Sequence, residues 1–449
     1  MSTIFALATP ASRSGVAIFR ISGSLASDTL KQLGCINLLS PRVASLRRLT
    51  RHDNNEALDE ALVLWFPAPQ SFTGEDVAEL HVHGSLAVIH DITQYLSSLP
   101  GLRLANPGEF SRRAFDNGRM DLTQIEGLAD LIDAESSLQR KQALRQMDGE
   151  LEKLYSRWRE ELITILALME AYIDFPDEDI PLEITEQIKR DVESLLHSLT
   201  KHASDPRGKS LREGLYIAII GAPNAGKSSL LNLLAKRDVA IVSDIAGTTR
   251  DTIEVHLDIN GYPITLADTA GLRESDNVIE KEGVKRARQK AQHADCRLCI
   301  FDAETLESPP IDILNLVDDS SLVIINKSDR LSNSQIPTIE QLPSSKVPLL
   351  ISATTGEGLD ELLGAIGSLA EKYMHPGNDP VFTRERHRVA LNNTSESLKQ
   401  FLHNISTNSP IELCAEDLRH AAHTLGRITG RIDVEDLLDK IFSSFCIGK

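Results

Sequence analysis

Between an apolar run at 215–220 and a helical run at 229–234 the chain reads Gly221-Ala222-Pro223-Asn224-Ala225-Gly226-Lys227-Ser228, the pattern G-x-x-x-x-G-K-S. Strand, glycine loop and helix in that order form a cradle of backbone N–H groups for phosphate, closed by the positive end of the helix. Lys227 neutralises charge between the β- and γ-phosphates, and the Ser228 hydroxyl is placed to ligate Mg²⁺. Around this loop, strand-like and helical runs alternate from about 211 to 370, which predicts a doubly wound α/β domain. Within it Ile253, Val255, Leu257 and Ile259 alternate with polar residues, then Asn260-Gly261 offers a two-residue hairpin turn before a strand over 262–267.

Further motifs follow in the order a GTPase needs. Asp268-Thr269-Ala270-Gly271 ends the hairpin's second strand, where the aspartate can hold Mg²⁺ through water and the Gly271 N–H can sense the γ-phosphate. Asn326-Lys327-Ser328-Asp329 follows an apolar strand; its carboxylate accepts from the guanine N1–H and exocyclic amine, a pair that adenine lacks. Ser352-Ala353 lies where a backbone N–H would meet the guanine O6. In Ser243-Asp244-Ile245-Ala246-Gly247-Thr248-Thr249-Arg250-Asp251, a polar switch loop, Thr249 is placed to ligate Mg²⁺ when GTP is bound. The expected nucleotide contacts are Asn224, Ala225, Gly226, Lys227, Ser228 and Ser229; the switch residues from Ser243 to Thr249; Asp268 to Gly271; and Asn326, Lys327, Asp329, Ser352 and Ala353. Leu272 stands where many regulatory GTPases carry a water-orienting glutamine, so catalysis must recruit another residue, with Glu274, Asp276, Glu280 and Glu282 at hand.

The 449 residues give room for about three domains at roughly 150 residues each. Residues 1–117 mix short strand-like runs with helices and read as a compact α/β domain. Helical spacing begins at Leu122, continues through Leu151, Leu154, Trp158, Leu162, Ile165 and Met169, and returns after Pro376 to end in Val434, Leu437, Leu438, Ile441, Phe442 and Phe445. The simplest arrangement splits one helical domain, 118–210 and 371–449, around an inserted α/β domain at 211–370. A net charge of −18 opposes bulk attraction to nucleic acid or anionic membrane, so any RNA contact needs a local patch or a partner. Five irregularly spaced cysteines, no basic leader and no apolar run of about 18 residues predict a cytoplasmic chain without membrane attachment.

The phosphate loop G-A-P-N-A-G-K-S, the switch I-A-G-T-T-R-D and the ending Phe442-Ser443-Ser444-Phe445-Cys446-Ile447-Gly448-Lys449 together resemble the tRNA modification GTPase family MnmE, also called TrmE. The resemblance runs end to end, through Phe19-Arg20-Ile21-Ser22-Gly23, Ser71-Phe72-Thr73-Gly74-Glu75-Asp76, Asn106-Pro107-Gly108-Glu109-Phe110 and Ile173-Asp174-Phe175-Pro176-Asp177-Glu178. The GTPase motifs by themselves would equally admit a ribosome-assembly GTPase, a nucleotide-switched binding protein without covalent chemistry. The resemblance implies a multidomain α/β protein: an N-terminal folate-binding domain that drives homodimerisation, a split helical domain and an inserted Ras-like GTPase domain. It implies action with the FAD-dependent flavoprotein MnmG to place a carboxymethylaminomethyl-type group at C5 of the wobble uridine of certain tRNAs. It further implies a tetrahydrofolate derivative, 5,10-methylene or 5-formyl, as the source of the one-carbon unit. By position, its K⁺ site falls on Asn224, Ser243, Ile245 and Thr248, its catalytic acid on Glu280, and its folate contacts on Arg20, Glu79, Arg119 and Lys449. Arg119 departs from the family's lysine; the charge survives, but a planar fork replaces a point donor. Cys446 is either a reactive thiol or a buried anchor.

Outside these motifs the readings are plainer. Cys296 and Cys299 form C-x-x-C on a strand with no second pair, which predicts buried core thiols rather than zinc ligands. His81 and His83 alternate along a strand, touching ligand or lining the exposed face of an edge strand. Lys285, Arg286, Arg288 and Lys290 read as a solvated helix face; Arg384, Arg386, His387 and Arg388 read as an RNA contact or a second solvated face.

Overall fold

The computed structural model describes residues 2–35, 39–174, 182–237, 239, 254–268, 294–306, 308–331, 339, 342, 347–375, 377, 379–432, 438, 441–443, 445 and 448. Two compact units emerge, one of residues 1–129, 147–196 and 393–449, the other of 130–146 and 197–392. The fold is α/β and multidomain.

In the first unit, β1 (Thr3–Leu7), β2 (Ser14–Ser22), β3 (Ser45–Thr50), β4 (Ala57–Phe66), β5 (Val77–Gly84) and β6 (Leu102–Leu104) form one sheet in the order β3-β4-β5-β2-β1-β6. Neighbours are antiparallel except β1 and β6. Period-two alternation decides what each face carries: Ala17, Phe19 and Ile21 of β2 and Ala78, Leu80 and Val82 of β5 join a core with Leu30, Ile92 and Leu96 of the helices Ala26–Gln32 and Leu86–Ser98. Arg20, Glu79, His81 and His83 consequently fall on the opposite face. β5 lies between β4 and β2, so the histidines stand on an interior strand, and the edge-strand expectation for them is corrected.

Helices Glu150–Asp174 and Ile411–Thr429 pack together, the first burying Leu151, Tyr155, Trp158, Leu162, Ile165 and Met169 at helical spacing. Leu438, Phe442 and Phe445 form a small core with Leu122 and Ile125. The other residues of that C-terminal stripe named above, Val434 and Leu437, lie outside the described residues, whereas Ile441 packs against this core.

The second unit is built on β7 (Leu215–Gly221), β8 (Glu254–Ile259), β9 (Tyr262–Asp268), β10 (Cys296–Asp302), β11 (Ser321–Asn326) and β12 (Leu349–Ile351), in the order β12-β11-β10-β7-β9-β8. All neighbours are parallel except the β8–β9 hairpin. Both faces are covered, which is why its central strands read as continuous apolar runs. Leu215, Ile217 and Ile219 face one core with Leu298 and Ile300, while Ala218 and Ile220 face another with Cys299 and Phe301. Cys296 and Cys299 are both buried, and burial pushes the Cys296 thiol up to about 12. At the hairpin tip Asn260 and Gly261 have φ of 55° and 87°, the two left-handed positions that an Asn-Gly turn supplies.

The basic run at 384–388 does not act as one surface. Arg384 pairs with Asp130 at 2.7 Å, Arg388 pairs with Glu385, and His387 is wholly buried against the Phe382 ring. The expectation of a shared RNA-facing or solvated side is corrected at His387, because a ring with no exposure reaches neither water nor RNA. Lys285, Arg286, Arg288 and Lys290 lie outside the described residues.

Candidate functional site

Because β7, β9, β10, β11 and β12 run parallel, their C-terminal ends share one edge of the sheet, and every described nucleotide motif sits at one of those ends. The phosphate loop leaves β7 and enters the helix Lys227–Ala235, whose first turn exposes Ser228 and Ser229. Gly226 caps that helix at φ 94°, and a Cβ there would lie 2.1 Å from Asn326 Nδ2. Left-handed backbone and close approach coincide, so only glycine fits. Asn224 is also left-handed, at φ 64°, and exposed on the loop. Lys227 is buried, its ammonium donating to the carbonyls of Gly221 (3.0 Å) and Ala222 (2.9 Å), which holds the charge across the mouth of the loop.

Asn326 ties this loop to the turns expected to read the base. Its Nδ2 donates to the Ala225 carbonyl at 2.8 Å, and its Oδ1 accepts from the Ala353 N–H at 3.0 Å. The Ser352 hydroxyl donates to Asp329 Oδ1 at 2.6 Å and also accepts from the Thr355 N–H at 3.1 Å, which fixes the carboxylate's direction. Lys327, left-handed at φ 67°, extends its ammonium to Asp302. Burial works to raise the Asp302 carboxyl, but the bond from Lys327 and the Glu304 N–H outweigh it and hold the group below the usual carboxylate range.

In the first unit Arg20 and Glu79 face each other across β2 and β5. Arg20 Nε and Nη2 both reach Glu79 Oε1 at 2.9 Å, His81 Nε2 stands 3.4 Å from Oε2, and the guanidinium lies 5.1 Å from the Phe72 ring centre and 5.8 Å from that of Phe110. This is a half-buried, oriented charge on an aromatic floor. Arg119 is exposed, its stem beside Gly74, where a Cβ would meet Arg119 Cγ at 3.2 Å. The 71–76 segment therefore brings Phe72 to Arg20 and Gly74 to Arg119. Gly448, at φ 101°, lies against the end of β1: a Cβ on it would sit 2.5 Å from the Leu7 carbonyl oxygen. Leu7 pairs with Phe19, the residue before Arg20.

Ser243, Asp244, Ile245, Ala246, Gly247, Thr248, Thr249, Thr269, Ala270, Gly271, Leu272, Glu274, Asp276, Glu280, Glu282, Cys446 and Lys449 lie outside the described residues, as does the side chain of Asp268. Among the described residues one feature escaped sequence reasoning. Arg113, 4% exposed, bonds Glu75 Oε2 at 2.8 Å, Glu109 Oε1 at 3.0 Å and the Ser2 carbonyl at 2.8 Å, while Ser22 Oγ donates to the same Glu75 oxygen at 2.8 Å. This network braces the segments that carry Phe72 and Phe110. Its only sequence trace is the acidic residue in each of the two motifs, Glu75 and Glu109.

Known proteins resemble this chain along its whole length. Residues 3–119 match the family model described as GTP-binding protein TrmE N-terminus, and residues 122–446 match that of the MnmE helical domain. A tRNA modification GTPase MnmE of Paramagnetospirillum magneticum is 51% identical over 448 residues, spanning 100% of this chain and 99% of the relative. Proteins of the same description from Parvibaculum lavamentivorans and Rickettsia bellii are 49% and 48% identical, each pairing 100% of both chains. The chain belongs to the tRNA modification GTPase family MnmE, also called TrmE.

Proposed function

We propose that this chain binds and hydrolyses GTP in the modification of tRNA, acting with the flavoprotein MnmG at C5 of the wobble uridine. The observation that carries the reading is the gathering of the phosphate loop, Asn326, Asp329 and Ser352-Ala353 at one sheet edge, in a chain that pairs end to end with relatives named tRNA modification GTPases. Lys227 stabilises charge on the β/γ-phosphates, Asp329 selects guanine, and the exposed Ser228 hydroxyl in the first helical turn suits Mg²⁺, with Thr249 as second ligand. When bound, Mg²⁺ neutralises charge that develops on the phosphate oxygens. Glu280 is the proposed water-positioning acid. Asn224, exposed beside the loop, suits K⁺ together with Ser243, Ile245 and Thr248.

Residues 1–117 form the proposed folate-binding and dimerisation domain, 118–210 and 371–449 the helical domain, and 211–370 the GTPase domain. Arg20 is oriented for a folate's glutamyl carboxylate, and Arg119 and Lys449 complete the cationic set. Glu79 already accepts from Arg20, so its part is to orient that cation as much as to meet the pterin edge. MnmG, or a local basic patch, supplies the tRNA contact that a chain of net charge −18 lacks in bulk. Among the described residues no helix is long and apolar enough to cross a membrane.

The test is phosphate release by the purified protein from GTP and from ATP, in potassium and in sodium salts at matched ionic strength. GTP turnover that potassium accelerates is expected. Turnover of ATP at the rate of GTP would overturn the guanine site, and equal GTP rates in the two salts would remove the K⁺ assignment.

A further inference from the structure

Asp329 reads guanine only if the turn that carries it is held still, and the structure shows what holds it. The turn Ser328–Arg330 follows β11, and the turn Ala303–Thr305 follows the neighbouring strand β10. Two ion pairs join them on either side of Asp329. On one side Lys327 Nζ reaches Asp302 and stands 3.8 Å from Glu304 Oε2. On the other, Arg330 Nη1 reaches both Glu304 oxygens, at 3.0 and 2.9 Å. Asp302 is itself aimed by the Glu304 N–H, which donates to its Oδ1 at 3.0 Å.

We propose that Asp302 and Glu304 are positioning residues for guanine selection: from the end of β10 they clamp the turn around Asp329 and thereby fix where its carboxylate meets the base. The proposal rests on the GTP reading above and deepens it. The two ties are unequal. Lys327 and Asp302 have side chains 22% and 14% exposed, so water screens that pair weakly, whereas Arg330 and Glu304 are 55% and 49% exposed. Asp302 therefore carries most of the effect. Glu304 acts mainly through its backbone N–H, which substitution of the side chain leaves in place.

The effect belongs to selectivity rather than to phosphate binding. Asp329 discriminates through two donors of guanine, and inosine triphosphate lacks one of them, the exocyclic amine. A carboxylate that wanders loses the benefit of that second donor, so the preference for GTP over inosine triphosphate falls. The phosphate loop holds both nucleotides alike.

The test measures KM and kcat for GTP, inosine triphosphate and ATP with the full chain, and for GTP and inosine triphosphate with Asp302→Asn, Asp302→Glu and Glu304→Gln, alongside thermal melting of each. In Asp302→Asn the KM for GTP is expected to rise about tenfold, the scale of one charge-assisted hydrogen bond, and the preference over inosine triphosphate to shrink with it. kcat for GTP stays within about twofold. Asp302→Glu restores part of the preference, and Glu304→Gln, a milder change that keeps the fold if Asp302→Asn does not, shifts it about twofold. A preference that stays at the wild-type ratio in Asp302→Asn and Glu304→Gln, even with both KM values raised together, overturns the proposal. A wild-type protein that does not prefer GTP to ATP overturns instead the reading on which it rests.

Discussion

In the proposed reaction Asp329 and Glu280 serve different stages, so their substitutions should separate. Asp329 meets the base in the ground state and the transition state alike; Asp329→Asn should weaken GTP binding and loosen base choice. Glu280, as the proposed water-positioning acid, should matter only as the phosphoryl bond breaks. Glu280→Ala should lower kcat at least about a hundredfold, in the range of a positioned acid–base group, with nucleotide affinity near wild type. Stopped-flow binding of a fluorescent GDP beside single-turnover hydrolysis checks both, and normal hydrolysis by Glu280→Ala would move the role to Glu282 or Glu274. The phosphate loop was legible in the sequence because its chemistry is contiguous: eight consecutive residues from Gly221 to Ser228 carry the cradle. Arg113 was not, since its partners at positions 2, 22, 75 and 109 meet only after the sheet forms.

Elements were legible wherever period and burial agree. The apolar run at 215–220 gave β7, the alternation at 253–259 gave β8, and Asn260-Gly261 gave the hairpin. Strand order was not legible: the polar face of β5 left an edge strand as open as a ligand contact, yet β5 lies between β4 and β2 and that face carries the Arg20–Glu79–His81 cluster. Nor was the fate of His202, on the helix Leu182–Ala203, whose ring lies 5.3 Å from that of Phe382. Burial pushes His202 down to about 4, with Asp205 opposing and His387 adding to the shift. A folded value below the ordinary 6.5 means that between pH 6.5 and 4 the unfolded chain takes up a proton that the folded chain refuses. Stability of the unit that contains it should therefore be full above that window and fall as the pH drops through it, with a slope of at most one proton. Urea midpoints at pH 7, 6 and 5 should show the decline, and His202→Gln should flatten it. An unchanged slope in the variant would place the titration elsewhere.

For the molecule as a whole, the two ends of the chain meet in one unit, with Gly448 against Leu7 and the Phe442 carbonyl beside Gly108. The phosphate loop belongs to the other unit. Deleting residues 446–449 should consequently weaken binding of a reduced folate and abolish tRNA modification, while basal GTP hydrolysis stays near wild type. Calorimetry with a reduced folate reads the first outcome, and unchanged affinity would send the tail to another task, such as docking the flavoprotein. The phosphate loop and the Arg20–Glu79 pair lie in different units; that hydrolysis in one serves chemistry in the other is the central claim. It is tested most directly by mass analysis of wobble nucleosides in tRNA from cells that lack this chain and carry either the wild-type gene or Lys227→Ala. The wild-type gene should restore the modified uridine and Lys227→Ala should leave it unmodified; full modification in Lys227→Ala cells, or in cells with no copy at all, would contradict the claim.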